Sequence, residues 1–365
     1  MRPKRNQVRY AVIGAGNITQ VAVLPAFEHA GENSRLVALV SGDPAKRANL
    51  RKRYKLEHTG SYEELETILE QAEIDAVYVA TPNSLHREFT ERSARCGVHV
   101  LCEKPLAPSL EDCHAMMHAC EEHSVKLMVA YRLHFEEATL KAFEIARSGK
   151  LGELRLFDSF FTHVVRPDDI RRDPERAGGA SFDLGIYCVN AARNLFEAEP
   201  ISVFAAAVEK NGVDDTTSVV LRFPQERLAQ FCVSNSTSGV SSYRIAGNKG
   251  DLRVEPAYEY AEGLVHHLTI DEETRRTAFR KRDQFAPEII HFSACILNDE
   301  EPGPSAEEGS CDVRVIEAIQ ESLKTGRSVD LAPYQRMSRP SLSQEMQKPP
   351  IDKPTTVNAP SPSIR

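Results

Sequence analysis

The chain has 365 residues, 41% of them hydrophobic and 27% charged, with a formal net charge of −8. That length exceeds one ordinary α/β core, so two domains are expected. The negative balance argues against broad attraction to nucleic acid, and no run of about 18 apolar residues reads as a membrane span.

The start, Met1 to Gln7, is basic and polar, and no signal-type apolar segment follows it. Tyr10–Ile13 reads as a first buried strand that breaks into Gly14-Ala15-Gly16-Asn17-Ile18-Thr19 and continues as a helical pattern to His29, shortened or bent by Pro25. Further short apolar runs at Leu36–Val40, Ala76–Val79, Val98–Cys102 and Lys126–Ala130 read as strands buried on both faces. Helical patterns lie between them: Pro44–Tyr54, Tyr62–Gln71, His86–Cys96 and Ser109–His123, the last with Ser109 as N-cap. Strict alternation predicts a doubly wound parallel sheet.

After the turn Gly149–Gly152 the grammar changes. Glu153–His163, Ile201–Val208, Ser218–Phe223, Leu228–Ser234, Tyr243–Ala246 and Asp251–Val254 have strand character, and one strong helix, Ser181–Phe196, interrupts them. Successive strands without helices predict a mostly antiparallel sheet with one face left to be covered. The sheet is expected to bury that face in a homo-oligomer, a dimer or tetramer. A helix at Cys311–Thr325 is expected to pack back on the first domain. The domain boundaries read 1–131, 132–335 and a proline-rich tail 336–365, whose composition predicts disorder or, less favoured, an arm on a neighbouring subunit.

Eight cysteines, at 96, 102, 113, 120, 188, 232, 295 and 311, show no Cys-x-x-Cys pair and no zinc spacing, so free thiols in a reducing cytoplasm and no metal site are expected.

Several segments carry chemistry. Gly14 and Gly16 allow a sharp turn and close approach of a pyrophosphate to the N-terminus of the following helix, although Thr19 stands where the third glycine of the fingerprint belongs. At the end of the second strand Val40-Ser41-Gly42 replaces the acid expected of an NAD site. Ser41 leaves room for a 2′-phosphate, and Lys46 and Arg47 can supply charge, so NADP is favoured over NAD; Asp43, two residues late, complicates the reading. Thr81-Pro82-Asn83-Ser84-Leu85-His86 follows the third candidate strand at the carboxyl edge, where ligands bind in such folds. Lys104, between Glu103 and Pro105 at the end of a buried strand, suits a substrate hydroxyl or an acid/base neighbour. Asp183, Tyr187, Asn190 and Asn194 form one polar stripe on a helix preceded by Gly178-Gly179.

Together, Gly14–Asn17, Val40–Gly42, Thr81–His86, Cys102–Pro105, Tyr131–His134 and Gly178–Tyr187 resemble the Gfo/Idh/MocA oxidoreductases, most closely the glucose–fructose and aldose oxidoreductase branch. The resemblance runs over roughly residues 8–330. It implies a Rossmann domain followed by an α+β domain with an open antiparallel sheet, and activity on a sugar CH–OH group. It implies that Tyr187 is the acid/base, that Lys104 favours its anionic form and binds substrate, and that Asp183 holds substrate or orients its neighbours. On the cofactor side it adds Tyr62 and Arg132 to Gly14, Ala15, Gly16, Asn17, Ile18, Ser41, Gly42, Lys46, Thr81, Pro82, Asn83, Leu85, His86, Glu103 and Lys104. The expected reaction is oxidation of an aldopyranose at C1 to the lactone, with the hydride returned to a second sugar. The alternatives are a non-enzymatic dinucleotide-binding regulator, or a dehydrogenase of an inositol, amino sugar or trans-dihydrodiol.

Overall fold

The structure is a computed structural model and describes residues 6–334 and 338–363. Most of the basic start (residues 1–5) and residues 336–337 and 364–365 of the tail lie outside the described residues. The chain divides into two compact units.

The first unit comprises residues 1–132, 283–310 and 347–361. Its sheet contains β1 (Val8–Ile13), β2 (Ser34–Val40), β3 (His58–Gly60), β4 (Ala76–Val79), β5 (His99–Glu103) and β6 (Leu127–Ala130), in the spatial order β3-β2-β1-β4-β5-β6. Every pairing is parallel. Val77, Tyr78, Val79, Val100, Leu101 and Cys102 are all fully buried, as apolar runs covered on both faces must be. β3, three residues long, escaped the sequence reading because His58-Thr59-Gly60 carries no apolar pattern. The order reverses between β2 and β4 around β1, so the switch point lies at the glycine turn. The helix after that turn is a π-type segment, Thr19–Val23, continued by Leu24–Ala26 with Pro25 in its first turn. Residues 347–361, expected to lack packing partners, instead hydrogen-bond within this unit.

The second unit comprises residues 133–282, 311–346 and 362–365. Its sheet is built from β7 (Leu154–Val164), β8 (Ser202–Lys210), β9 (Val213–Phe223), β10 (Arg227–Ser234), β11 (Ser236–Gly247), β12 (Gly250–Val254), β13 (Val265–Ile270), β14 (Glu273–Ala278) and β15 (Val329–Asp330). The order is β14-β13-β12-β11-β7-β10-β9-β8-β15. All pairings are antiparallel except β10 with β7. Phe157, Phe161, Ala229, Phe231, Val219 and Leu221 point into the core with the helix Ile186–Leu195. On the other side Leu156, Phe160, Phe204 and Leu228 are exposed. The helix expected at Cys311–Thr325 spans Ala306–Thr325, and its Val315, Ile316, Ala318 and Ile319 join this core rather than the first unit. Among the described residues no helix is long and apolar enough to cross a membrane. All eight cysteines are free thiols.

Candidate active site

In the first unit, the carboxyl ends of β1, β2 and β4 carry the glycine turn and its neighbours. Gly14 has φ +100°, and a Cβ there would lie 2.4 Å from the Ala80 carbonyl oxygen, so only glycine lets β1 turn this close to β4. A Cβ at Gly16 would meet nothing within 4 Å, so the space over the turn is open. Two buried hydroxyls, Thr19 Oγ1 after the turn and Thr81 Oγ1 after β4, have no hydrogen-bond partner among the described residues. Glycines that admit close approach, a helix start and unsatisfied hydroxyls at a topological switch point fit a dinucleotide.

The end of β2 settles the place of Asp43. It caps the helix Pro44–Tyr54, with Oδ1 accepting from Ala45 N at 2.8 Å and Lys46 N at 3.1 Å, while Oδ2 accepts from the Asn358 amide at 3.1 Å. These bonds hold its carboxyl below the usual range, the Asn358 bond foremost. The acid is thereby committed to local structure. Ser41 is buried beside it, and Arg47 Nη1 donates to the Ser41 carbonyl at 2.5 Å. Tyr62 packs against Gly42, where a Cβ would stand 3.3 Å from the ring, and its ring lies 5.0 Å from that of Phe89. Asn83 to Leu85 form a short turn ahead of the helix His86–Arg95. His86 is buried, with Nε2 3.1 Å from the Thr81 carbonyl and Nδ1 3.0 Å from that of Pro105. Burial pushes its pKa down. Its ring lies between the Thr81 loop and the Lys104-Pro105 turn, and the neutral imidazole donates its one N–H to only one of these carbonyls.

Beneath Lys104 lies a feature the sequence did not reveal. The Tyr78 hydroxyl is 2.9 Å from Glu103 Oε1 and 2.9 Å from Glu288 Oε1. One phenol proton cannot serve both oxygens, so one carboxyl must itself be protonated and donate. Glu288 is the one: it is fully buried, its Oε2 has no hydrogen-bond partner among the described residues, and burial and then the Glu103 charge raise its pKa well above the carboxylate range. Burial raises Glu103 too, against the pull of Lys104 and the Tyr78 bond. Glu103 Oε2 in turn accepts from the Lys104 backbone N–H at 3.2 Å. Arg132, buried, hydrogen-bonds Gln284 and sits 6.0 Å over the Phe285 ring. Tyr78 reads in sequence as one more apolar strand residue, and Glu288 lies almost two hundred residues from Glu103.

In the second unit, Asp183 and Tyr187 stand one turn apart at the junction of the π-type turn Ser181–Gly185 with the helix Ile186–Leu195. Asp183 Oδ2 accepts from Arg171 Nε at 2.7 Å and lies 4.0 Å from His163 Nε2. Arg171 also donates to Asp169 at 3.0 Å. Burial pulls this guanidinium down, but the Asp183 and Asp169 carboxylates outweigh it and hold it above its usual value. Tyr187 is half-buried, its ring edge-on to Phe161 at 5.4 Å and tilted to Tyr258 at 5.8 Å. The preceding glycines serve packing rather than a ligand. Gly178 N donates to the Asp173 carbonyl and Gly179 N to that of Arg171. Gly179, at φ +126°, leaves no room for a Cβ beside Asp214 Oδ1 at 2.2 Å. That folded loop is what carries Arg171 to Asp183, and no local sequence signal marks it.

Asn190 and Asn194 do not continue a solvated stripe. Both are buried; His134 Nε2 donates to Asn190 Oδ1 at 2.8 Å, and Asn190 Nδ2 donates to Asp312 at 2.7 Å. Arg193 pairs with Asp312 and, at 2.5 Å, with Glu199. Thus the first unit contains all of the expected cofactor residues, Lys104 among them, and the second contains Asp183 and Tyr187.

Residues 8–131 match the model of the GFO/IDH/MocA oxidoreductase family with its NAD-binding Rossmann fold, and residues 139–253 match that family's C-terminal domain. The chain belongs to the GFO/IDH/MocA family. It is 33% identical to a D-xylose 1-dehydrogenase [NADP(+)] of Haloarcula marismortui, over 89% of this chain and 94% of that protein. A solved aldose–aldose oxidoreductase from Caulobacter crescentus is 36% identical, with a TM-score of 0.84 over 89% of this chain and all of that one. A 3-ketoreductase from Actinomadura kijaniata, solved with NADP, is 26% identical with a TM-score of 0.80 over 87% and 98%. As a family member this chain is a nicotinamide-dependent oxidoreductase.

Proposed function

We propose that this oxidoreductase uses NADP to oxidise an aldopyranose at C1 to the lactone, and returns the hydride to a second sugar. The observation that carries the cofactor choice is Asp43. Its Oδ1 caps a helix and its Oδ2 accepts from Asn358, so the carboxylate is held by the protein's own donors, while Ser41, Lys46 and Arg47 stand near it in the chain. The two halophilic xylose dehydrogenases among its relatives, each 33% identical, are named for NADP, which supports the same reading.

The dinucleotide supplies hydride acceptance at nicotinamide C4. The protein must take the proton from the C1 hydroxyl, and Tyr187 is the residue we assign to it. A phenol acting as base near neutrality needs positive charge close by, the role assigned to Lys104. Asp183, fixed by Arg171, accepts hydrogen bonds from the sugar. As C1–H leaves as hydride, the hydroxyl proton passes to Tyr187 and the lactone carbonyl forms; the second half-reaction reverses these transfers on an acceptor sugar.

The exposed Leu156, Phe160, Phe204 and Leu228 on one side of the second unit's sheet support a homo-oligomer that covers this face. Light scattering at micromolar concentration tests it, and a monomer refutes it. The function is tested by titrating nucleotide-free protein with NADP and NAD, then following nicotinamide absorbance with D-xylose, D-glucose and myo-inositol. Tighter binding of NAD overturns the cofactor reading; turnover of the inositol alone overturns the aldose reading.

A further inference from the structure

The C-terminal residues 355–359 make contacts that neither the fold nor the proposed chemistry requires. Val357 is held at both backbone groups by one side chain: its N–H donates to Gln20 Oε1 at 2.7 Å, and its carbonyl accepts from Gln20 Nε2 at 2.9 Å. The same Nε2 donates to the Ala15 carbonyl of the glycine turn at 3.0 Å, and Gln20 is fully buried. The Asn17 amide donates to the carbonyl of Ala359, itself buried, at 2.9 Å. On the other side, Asn358 donates to Asp43 at 3.1 Å, and Arg53 donates to the Thr355 carbonyl at 2.7 Å. Asn358 sits at φ +47°, a left-handed conformation that asparagine tolerates better than most residues.

The segment is thus fastened both to the turn after β1 and to the helix after β2. In a doubly wound fold a dinucleotide lies across the carboxyl ends of those two strands, pyrophosphate on the first and adenosine ribose on the second. Flanking prolines at 354 and 360 lower the entropy the free segment would regain, so a short polar stretch can stay docked.

We propose that Thr355–Ala359 is part of the cofactor site: a strap that keeps the dinucleotide bound between half-reactions and, through Asn358, withholds the Asp43 carboxylate from a ribose 2′-hydroxyl. The proposal rests on the assignment of an NADP site to the first unit. It gives physical form to a cofactor that cycles without leaving, as hydride return to a second sugar needs. Withdrawal of Asn358 frees an acceptor where NAD presents its hydroxyl and removes a donor that offsets negative charge where NADP presents phosphate.

The test uses the full chain in two forms besides wild type: Asn358→Ala, and residues 355–359 replaced by Gly-Ser-Gly-Ser-Gly. NADPH dissociation is followed by stopped-flow fluorescence on displacement with excess NADP, and equilibrium binding of NADP and NAD by titration. The replaced strap is expected to release NADPH about tenfold faster or more, the scale of two to three lost hydrogen bonds. Asn358→Ala, an exposed substitution that keeps the fold, is expected to shift the NADP-to-NAD affinity ratio several-fold toward NAD. Release rates within twofold of wild type in both variants, with an unchanged affinity ratio, overturn the strap. If wild type binds neither dinucleotide, the cofactor assignment itself falls and takes the strap with it.

Discussion

Two clusters of acid groups, one in each unit, are held in opposite ways. In the second, one set of carboxylates meets guanidinium groups, Asp183 with Arg171, Asp215 with Arg172, Asp312 and Glu199 with Arg193, while buried Asp214 and Glu136 accept from uncharged N–H and O–H groups. In the first, Glu103 and Glu288 share the hydroxyl of Tyr78, and the charge is removed by a proton rather than matched by a cation. The paired form matches charge with charge around the helix Ile186–Leu195. The proton-sharing form leaves a titratable group beneath the strand end that bears Lys104. Burial is costly in both cases, and the two clusters offset it by different chemistry.

The largest effect that sharpens this contrast concerns Tyr187. Tyr187→Phe keeps the ring contacts with Phe161 and Tyr258 but removes the proton-transferring group, and should lower kcat about 10²–10⁴-fold with dinucleotide binding intact. Lys104→Ala should also be severe, and the double variant less than additive. Near-normal turnover of Tyr187→Phe would move the proton transfer to another residue.

Next comes the ion-paired core of the second unit. Arg193→Met leaves Asp312 and Glu199 buried beside an apolar chain, and should destabilise by about 3–5 kcal/mol. Urea unfolding measures it; a loss below about 1 kcal/mol would show that the pairs are not the charge-matching device described.

The smallest effect has the sharpest sign. Glu288 has a folded pKa above its unfolded value, so the native state holds a proton that the unfolded chain releases. Stability is therefore highest below the ordinary carboxylate range and falls as pH rises through the window up to the folded value. Glu288→Gln removes that dependence while keeping a neutral hydrogen-bonding group. Its melting temperature relative to wild type should climb from pH 5 to pH 8. A gap that stays constant across that range would mean Glu288 is ionised in the folded protein, contrary to the proton-sharing arrangement.

Legibility of the site follows the range of the interactions that build it. Gly14, Ser41, Lys104, Asp183 and Tyr187 could be singled out because each stands at a strand end or a helix start, where local pattern says what the backbone is doing. Tyr78, Glu288, Arg171 and Gln20 could not. Tyr78 sits inside an apolar run, Glu288 inside a helix the periodicity did not bring out, and Arg171 in a loop whose shape depends on Gly178, Gly179 and Asp214. Asn190 and Asn194 were visible as a stripe, yet Asn190 is held by His134 and Asp312, more than fifty residues away in each direction, and Asn194 bonds back to Asn190.

By itself the sequence determined the alternation of strand and helix, the glycine turn, the change of grammar after residue 150 and the order of the family's motifs. These depend on backbone propensity and on apolar spacing within a dozen residues. Tertiary structure alone decided which charges are matched and which are neutralised, which donors hold Asp43, and where residues 355–359 dock. Composition reads that last segment as unable to bury surface of its own, which is true of it in isolation. Its partners are Gln20, Asn17, Asp43 and Arg53, more than three hundred residues earlier, and a hydrogen bond across that separation leaves no trace in any local pattern.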